Sequence, residues 1–332
     1  MTTFNRADSR PTVLVTRRFP DGSTRPLHDA GLDVEQWAAE EPMSRDTLLA
    51  KVAGVHGLLA SITERVDQEL LDAAPALRVV AEYGVGYDNI DVEACTRRGV
   101  VVCNTPGVLA ETTADLTWSL ILTVGRRIGE AIDHVKDGQW QGWNPNVLLG
   151  QDVHHRTLGI VGLGAIGWQV ARRALGFDMR VLYYSAHRHP ELEAQAPVSF
   201  VDLEALLRES DFVTLHAAFT PATRHMLSTA QFKLMKKTAY LINVARGGLI
   251  DQRAVYEACR DSEIAGAALD VTDPEPMPRD DPLLTLPNVI VVPHIGSATV
   301  ATRIRMGTLA SDNIVAVLKG ATPPTAVNLD RL

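Results

Sequence analysis

The chain has 332 residues, of which 46% are hydrophobic and 22% charged, and its formal net charge is -8 at pH 7. This length suits two domains of about 150 residues, and the composition lets each bury a core. The acidic balance argues against a nucleic-acid-binding protein, because affinity for a phosphate backbone needs a basic surface.

Cysteine usage and the chain start indicate the cellular compartment. Cys95, Cys103 and Cys259 are scattered and form no Cys-x-x-Cys pair, which favours a reducing environment. The opening segment, MTTFNRADSRP, lacks the apolar core of a signal peptide, and no apolar run reaches the roughly 18 residues of a membrane span. We therefore expect a cytoplasmic protein with no membrane contact, and we predict no metal site.

Short apolar runs alternate with segments of helical period through the first hundred residues. The segments TERVDQELLDAAP and DVEACTRRG predict helices that end at Pro75 and Gly99. Strands that alternate with helices indicate a parallel sheet covered on both faces. The predicted buried strands are TVLVT (Thr12–Thr16), GLLAS (Gly57–Ser61), LRVVAEY (Leu77–Tyr83) and GVVVCN (Gly99–Asn104).

The rest of the chain predicts a second doubly wound α/β unit. A long helix is expected from near Glu111 through ADLTWSLILTVGRRIGEAIDHVKDG, and helices such as SFVDLEALLRES separate the strands that follow. The tail ATRIRMGTLASDNIVAVLKG predicts a last helix. The ligand of such a unit should lie at the carboxyl ends of its strands. These predicted strands are TLGIVGLG, RVLYYS, DFVTLHAA, AYLINVA, AGAALDV and NVIVVPH.

A glycine motif opens this second unit. In GIVGLGAIGWQVARRAL, Gly162, Gly164 and Gly167 follow the order G-x-G-x-x-G between a predicted strand and a predicted helix. Gly162 permits a tight turn, Gly164 lets the backbone approach a pyrophosphate, and Gly167 lets the helix pack closely on the strand. Backbone donors at the helix start, Ala165 and Ile166 among them, would bind the anion. The motif predicts a dinucleotide-binding turn.

The next predicted strand lacks the acidic residue that usually holds the ribose of a dinucleotide. In RVLYYSAHRHP the strand is followed instead by Ser185, His187 and Arg188. An acid would repel a ribose 2′-phosphate, whereas an arginine binds it. The stretch therefore favours NADP(H) over NAD(H). The alternative interpretation is a solvated loop that holds no ligand.

Three further strands end in ionisable residues. Arg246 follows the strand of INVARGGLID, Asp270 and Glu275 lie in ALDVTDPEP, and His294 lies in VVPHIGSAT. Each alone could be a surface ion pair, a turn residue or a loop histidine. Together, Arg246 could bind a carboxylate and His294 could protonate a developing alkoxide, while Glu275 fixes the histidine tautomer. Beside a dinucleotide turn, this set predicts hydride transfer to a 2-oxo acid.

With LRVVAEYGVGYDNID, VVCNTPGVLAETTADLTWSLIL and LPNVIVVPHIGSAT, these motifs resemble the D-isomer-specific 2-hydroxyacid dehydrogenase family over nearly the whole chain. Within it, the chain is most similar to the glyoxylate/hydroxypyruvate reductases. The resemblance implies an α/β fold of two doubly wound parallel-sheet domains with a cleft between them. One is a flavodoxin-like substrate domain of residues 1–106 and 299–332, and the other a Rossmann nucleotide domain of residues 107–298.

The resemblance also implies roles for individual residues. Arg246, Glu275 and His294 would be the catalytic set, and the backbone N–H groups of Val85 and Gly86 would bind the substrate carboxylate. The segment of about 116–150, with Trp140 and Trp143, would be the subunit-exchange arm of a homodimer. The residues implied at the nicotinamide are Asp270, which would hold its carboxamide, and Val244, Ala245 and Gly296, which would line its pocket.

The function implied is an NADPH-preferring reductase of small 2-oxo acids, with NAD(H) as an alternative cofactor. Glyoxylate would give glycolate and hydroxypyruvate would give D-glycerate. VLYYSAHRHP is similar to the corresponding segment of the NADP-preferring members. The alternatives within the family are a 2-ketogluconate reductase and a D-3-phosphoglycerate dehydrogenase. An alternative of another class is a dinucleotide-binding, corepressor-like protein.

Overall fold

The computed structural model describes residues 10–332. The polar segment at the start of the chain, where we expect no signal peptide, lies almost entirely outside the described residues. Of the described residues, 10–109 and 298–332 form one compact unit, and 110–297 form a second. No helix within residues 10–332 is long and apolar enough to cross a lipid bilayer.

Regular elements alternate along both units. The strands are β1 (Thr12–Val15), β2 (Asp33–Gln36), β3 (Gly57–Ala60), β4 (Val79–Glu82), β5 (Val101–Cys103), β6 (Thr157–Val161), β7 (Arg180–Tyr184), β8 (Val198–Phe200), β9 (Phe212–Leu215), β10 (Tyr240–Asn243), β11 (Gly266–Leu269) and β12 (Val289–Val291). The helices are α1 (Arg25–Asp29), α2 (Arg45–Lys51), α3 (Gln68–Ala73), α4 (Val92–Arg97), α5 (Ala110–Gly125), α6 (Ile128–Lys136), α7 (Ala165–Ala174), α8 (Pro190–Glu193), α9 (Leu203–Glu209), α10 (Thr229–Phe232), α11 (Gln252–Arg260) and α12 (Val300–Leu318). Short 3-10 turns cover Val52–Gly54, Leu175–Phe177, Gly247–Leu249, Pro282–Thr285 and Leu329–Arg331.

The first unit contains a five-stranded parallel sheet in the order β2-β1-β3-β4-β5. This is the strand order of a flavodoxin-like fold, which the family resemblance implies for this unit. Helices α2, α3 and α4 contribute to an apolar core against one face of the sheet, and α12 packs on β3 and β4. Residues from both ends of the described chain therefore build one unit.

The second unit contains a seven-stranded parallel sheet in the order β12-β11-β10-β9-β6-β7-β8. The order reverses between β6 and β9, which is the switch point of a Rossmann fold. One core cluster packs α5 and α7 against the sheet, and another packs α9, α10 and α11 against it. The predicted fold class, two doubly wound parallel sheets, is confirmed.

Two strands and two helix starts differ from the sequence prediction. β2 and β8 are edge strands without a continuous apolar run, so no buried strand is predicted there. The predicted helix SFVDLEALLRES is wrong at its start, because Ser199 and Phe200 belong to β8. Asp202 caps α9 by accepting the Ala205 N–H at 2.7 Å. Similarly, α3 begins only after Asp67, whose carboxylate accepts the Leu70 N–H at 3.1 Å.

The single long helix predicted from near Glu111 is wrong, since the structure has two helices there. Arg127 adopts a left-handed backbone conformation with φ of 54°, which ends the hydrogen-bonding pattern between α5 and α6. The Gly125 carbonyl, at the end of α5, accepts the N–H of Gln151 at 2.8 Å. The chain therefore changes direction at a site where helical periodicity alone indicates continuity.

Directly after β9 lies a histidine that titrates outside its usual range. Burial lowers the pKa of His216 from 6.5 to about 3. Its Nε2 lies 2.9 Å from the Thr214 hydroxyl, and its buried Nδ1 has no hydrogen-bond partner among residues 10–332. The neutral ring therefore contributes stability that is fully present above pH 6.5 and is lost as the pH falls toward 3.

We predict that His216→Gln flattens the acid limb of the stability profile. Between pH 7 and pH 5, the free energy of unfolding of the wild type should fall by about 2 kcal/mol more than that of the variant. Urea titrations at both pH values measure this difference. His154→Gln, at an exposed histidine, should keep the wild-type dependence. Parallel pH profiles for wild type and His216→Gln would contradict the prediction.

Candidate active site

Four neighbouring strands of the second sheet end in register. Leu215 of β9 pairs with Asn243 of β10, Asn243 pairs with Leu269 of β11, and Leu269 pairs with Val291 of β12. Since all four strands are parallel, the segments that follow them leave the same edge of the sheet. These segments carry Arg246, Asp270, Glu275 and His294.

The glycine-rich turn lies at the same edge, where the strand order reverses. Gly162 has φ of 98°, a backbone conformation that favours glycine. A Cβ at this position would lie 2.6 Å from the backbone nitrogen of Ala217, in the segment after β9. Glycine is therefore required both by the turn and by the close approach of two strand ends.

The other two glycines of the motif have different surroundings. A Cβ on Gly167 would lie 2.2 Å from the Gly162 carbonyl oxygen, so the first turn of α7 packs directly on the glycine turn. A Cβ on Gly164, the exposed N-cap of α7, would project into open space. Ala165 is exposed and Ile166 half-buried. The first N–H groups of a helix have no partner within it, so an anion can approach here.

Residues 185–190, which follow β7, form the stretch where the ribose of a dinucleotide is expected to bind; we call it the ribose stretch. Its basic side chain, Arg188, is paired with an acid. The Ser185 hydroxyl donates to the His187 carbonyl, and His187 is exposed. The Arg188 guanidinium donates to both carboxylate oxygens of Glu193, with Nη2 to Oε2 at 2.6 Å and Nε to Oε1 at 2.9 Å. Glu193 could not be recognised as a site residue from the sequence, because it lies beyond the strand end in the short helix α8.

Arg246 begins the 3-10 turn that follows β10. Its carbonyl accepts a hydrogen bond from Nδ2 of Asn243 at 2.8 Å. The Oδ1 of Asn243 accepts a hydrogen bond from the Ala245 N–H at 3.1 Å. Val244 is buried and Ala245 half-buried. The fully buried Asn243 thus fixes the backbone on both sides of the Ala245–Arg246 peptide, and the Arg246 side chain is half-buried.

The segments after β10 and β11 are in direct contact. A Cβ on Gly247 would lie 2.1 Å from the backbone carbonyl atoms of Thr272. The N–H of Asp273 donates to the Gln252 side chain at 3.0 Å. Glycine at position 247 therefore brings the Arg246 turn against the segment that leads to Glu275.

Asp270 holds the loop after β12 in place. Its backbone carbonyl accepts the His294 N–H at 2.9 Å, and its carboxylate accepts the N–H groups of Ile295 at 2.6 Å and Gly296 at 2.8 Å. Burial raises the pKa of this carboxyl group, and the two N–H donors oppose that shift. Gly296 is buried beside it. Asp270 therefore anchors, through three hydrogen bonds, the loop after β12 that carries His294.

His294 and Glu275 form a hydrogen-bonded pair. The His294 Nδ1 lies 2.6 Å from the Glu275 Oε1, and the two side chains are 28% and 36% exposed. His294 has φ of 52°, so its backbone is in the left-handed region. An imidazole fixed at Nδ1 by a carboxylate keeps a defined tautomer and directs Nε2 elsewhere, which is the arrangement of a general acid or base.

The first unit contains the turn after β4, where the family resemblance implies backbone donors to a carboxylate. The Val85 carbonyl accepts the Asn104 side chain at 2.8 Å, and the Gly84 carbonyl accepts the Thr105 N–H at 3.0 Å. The backbone N–H groups of Val85 and Gly86 donate to no acceptor within residues 10–332, and both residues are half-buried. The hydrogen bonds to the Gly84 and Val85 carbonyls fix the backbone of this turn. Two adjacent N–H donors on a fixed backbone suit the two oxygens of a carboxylate.

The residues that hold these backbone segments were not predicted from the sequence. They are side-chain amides at a strand end, just beyond one, or at the start of a helix, where the side chain can bond to a neighbouring loop. A buried Asn directly before a loop with an ionisable residue was the available signal. These residues are Asn104, Asn243 and Gln252.

The residues present fit a dinucleotide and a small acid. The open space at Gly164 could admit a pyrophosphate at the start of α7, and the paired imidazole could exchange a proton with an alkoxide. Within residues 10–332, no cluster of three or more His, Cys, Asp or Glu side chains is placed to hold a metal ion.

Comparison with known proteins supports this assignment. Residues 118–296 match the family model described as D-isomer specific 2-hydroxyacid dehydrogenase, NAD binding domain. A glyoxylate reductase of Thermococcus kodakarensis is 47% identical over 323 residues, which cover 96% of each chain. The crystal structure of a Thermus thermophilus protein matches with a TM-score of 0.89 at 45% identity, covering 95% of this chain and 99% of that one.

A second solved structure includes a bound dinucleotide. The NADPH-dependent glyoxylate/hydroxypyruvate reductase of Sinorhizobium meliloti, in complex with NADP and malonate, matches with a TM-score of 0.85 at 31% identity. The match covers 96% of this chain and 97% of that chain. The chain therefore belongs to the D-isomer specific 2-hydroxyacid dehydrogenase family, as its motifs predict, and it is an enzyme that uses a nicotinamide dinucleotide.

Proposed function

We propose that this enzyme reduces glyoxylate-type 2-oxo acids, converting glyoxylate to glycolate and hydroxypyruvate to D-glycerate, with NADPH preferred to NADH. The observation that carries the proposal is the 2.6 Å contact between His294 and Glu275, on segments that leave the same sheet edge as the Arg246 turn and the glycine turn. The name glyoxylate reductase, given to relatives 45–47% identical over nearly the full chain, supports the substrate class.

His294 is the proposed acid and Glu275 its positioning residue. The bound dinucleotide supplies a hydride to the carbonyl carbon of the 2-oxo acid. The carbonyl oxygen takes the proton from Nε2 of His294, since Nδ1 is held by Glu275. The products are a 2-hydroxy acid and the oxidised dinucleotide. Arg246 binds the substrate carboxylate and polarises the ketone through its planar guanidinium.

The remaining site residues have binding roles in this proposal. In the first unit, which we propose as the substrate domain, Val85 and Gly86 donate their N–H groups to the substrate carboxylate. In the second unit, the proposed nucleotide domain, Val244, Ala245 and Gly296 line the nicotinamide pocket. Asp270 holds the nicotinamide carboxamide with the lone pairs that Ile295 and Gly296 leave available.

We predict that His294→Ala lowers kcat for glyoxylate with NADPH by about 10²- to 10⁴-fold, since general acid catalysis contributes that much. Glu275→Gln should lower kcat less and change the pH profile of kcat, because it acts through the imidazole. Steady-state assays across pH measure both effects. His154→Ala, at an exposed histidine, should leave turnover unchanged. A His294→Ala enzyme with wild-type kcat would exclude His294 as the acid.

The proposed NADPH preference rests on the ribose stretch. No acidic residue ends β7, Ser185 takes that position, and Arg188 supplies a guanidinium that is 64% exposed. His187 lies beside it at the surface. A bound 2′-phosphate would meet a hydroxyl and a cation in place of a carboxylate, so the phosphorylated cofactor is favoured.

We predict that Arg188→Ala raises KM for NADPH about tenfold or more and leaves KM for NADH within about twofold, because a charge-assisted hydrogen bond to phosphate is lost. The ratio of kcat/KM for the two cofactors, measured with glyoxylate, reports this selectivity. Arg208→Ala, at an exposed arginine of α9, is the matched control. Equal losses with both cofactors would return Arg188 to the role of a solvated surface residue.

We also propose that the enzyme is a cytoplasmic homodimer. The three cysteines are buried free thiols, which suits a reducing compartment. Segment 116–150 exposes large apolar side chains, with Trp143 88% exposed and Trp140 66% exposed. Other exposed apolar residues of this segment are Leu122, Ile128, Ile132, Val135, Val147 and Leu149. Apolar surface this extensive is typical of an interface between subunits.

We predict that the wild type sediments as a dimer and that Ile132→Asp shifts it toward monomer, because a buried unpaired carboxylate is costly at an apolar interface. Sedimentation velocity at micromolar protein concentration measures the two species. Val300→Asp, at a 76% exposed residue of α12, should remain dimeric. A monomeric wild type at this concentration would contradict the proposed assembly.

A further inference from the structure

Arg188 uses only one side of its guanidinium to bind Glu193. Nε lies 2.9 Å from Oε1 and 3.1 Å from Oε2, and Nη2 lies 2.6 Å from Oε2. The side of the group formed by Nη1 and the second hydrogen of Nη2 faces away from this carboxylate. A planar guanidinium can bind one acid through each of these sides at the same time.

Glu193 is itself held from the protein interior. The hydroxyl of Tyr183, a fully buried residue of β7, donates to Glu193 Oε1 at 2.7 Å. The same hydroxyl accepts the N–H of His189 at 2.8 Å, which fixes the end of the ribose stretch. The Glu193 side chain is 16% exposed, whereas that of Arg188 is 64% exposed. A continuous chain of hydrogen bonds therefore runs from the strand to the surface guanidinium.

We infer that Tyr183 and Glu193 are positioning residues that orient Arg188 toward a ribose 2′-phosphate, so that Glu193 contributes to cofactor choice without touching the cofactor. The inference rests on the proposed NADPH preference. It assigns a favourable role in phosphate binding to a carboxylate, whose charge alone would oppose an anion.

The gain from fixing Arg188 outweighs the repulsion between Glu193 and the 2′-phosphate for two reasons. The charge of Glu193 lies behind a guanidinium that neutralises it, and solvent and salt screen what remains. The conformational entropy of a long, exposed arginine is not screened, and a second hydrogen-bonding partner that fixes it in advance lowers the cost of binding. The ion pair and the Tyr183 hydroxyl lower the pKa of Glu193 to about 2, so the link persists throughout the neutral range.

Binding of two small probes tests the inference without turnover. Isothermal titration with adenosine 2′,5′-bisphosphate reports the 2′-phosphate contact, and 5′-AMP serves as the probe that lacks it. Glu193→Ala should weaken the bisphosphate by about threefold to tenfold, the effect of losing the pre-ordering of one long side chain, and leave 5′-AMP unchanged. KM for NADPH should rise in parallel, with KM for NADH and both kcat values unchanged.

Two further variants separate orientation from other effects. Tyr183→Phe keeps the buried ring and removes the anchor of Glu193, so it should produce a smaller loss in the same direction. Glu191→Ala removes an exposed acid of the same short helix that contacts His189 and not Arg188, and it should change neither probe. In an Arg188→Ala background, Glu193→Ala should have no additional effect, because its role passes through the guanidinium.

The outcomes distinguish this inference from the proposed function. Tighter binding of the bisphosphate by Glu193→Ala, or equal weakening of both probes, would overturn the orienting role. If Arg188→Ala selectively weakens the bisphosphate while Glu193→Ala does not, the ribose site stands and only the inference fails. If Arg188→Ala binds both probes like the wild type, the proposed ribose site and the inference built on it both fail.

Discussion

The shared register of four parallel strands is the constraint on which the candidate site depends. β9, β10, β11 and β12 end level with one another, so the loops that follow them begin side by side. Two contacts then set the loops against each other: the carboxylate of Asp270 holds the backbone at Ile295 and Gly296, and Gly247 lies against the backbone at Thr272. The geometry of the His294–Glu275 pair follows from this packing.

Much of the fold follows from local sequence patterns. Buried parallel strands are continuous apolar runs, so the central strands of both sheets could be recognised, and the strand–turn–helix context identified the glycine turn. Edge strands such as β2 are half solvated and lack that run. The break at Arg127 depends on a left-handed residue and on a carbonyl contact with Gln151, neither of which changes helical periodicity.

The candidate site shows a similar division. Ionisable residues at strand ends can be read from a sequence, because a parallel sheet gathers them at one edge. The residues that hold them in position cannot be recognised from the sequence. Asn243, Gln252 and Glu193 act through contacts that form only when the loops fold. The pairing of Arg188 is the clearest example: the sequence shows an excess of basic residues, whereas the structure shows a cation fixed by an acid from the next helix.

The contact at Gly247 makes two loops inseparable in any re-engineering of this site. Because a Cβ on Gly247 would collide with the Thr272 backbone, any larger residue at position 247 would displace one segment from the other. A chimera between members of the family should therefore exchange the segments after β10 and β11 together.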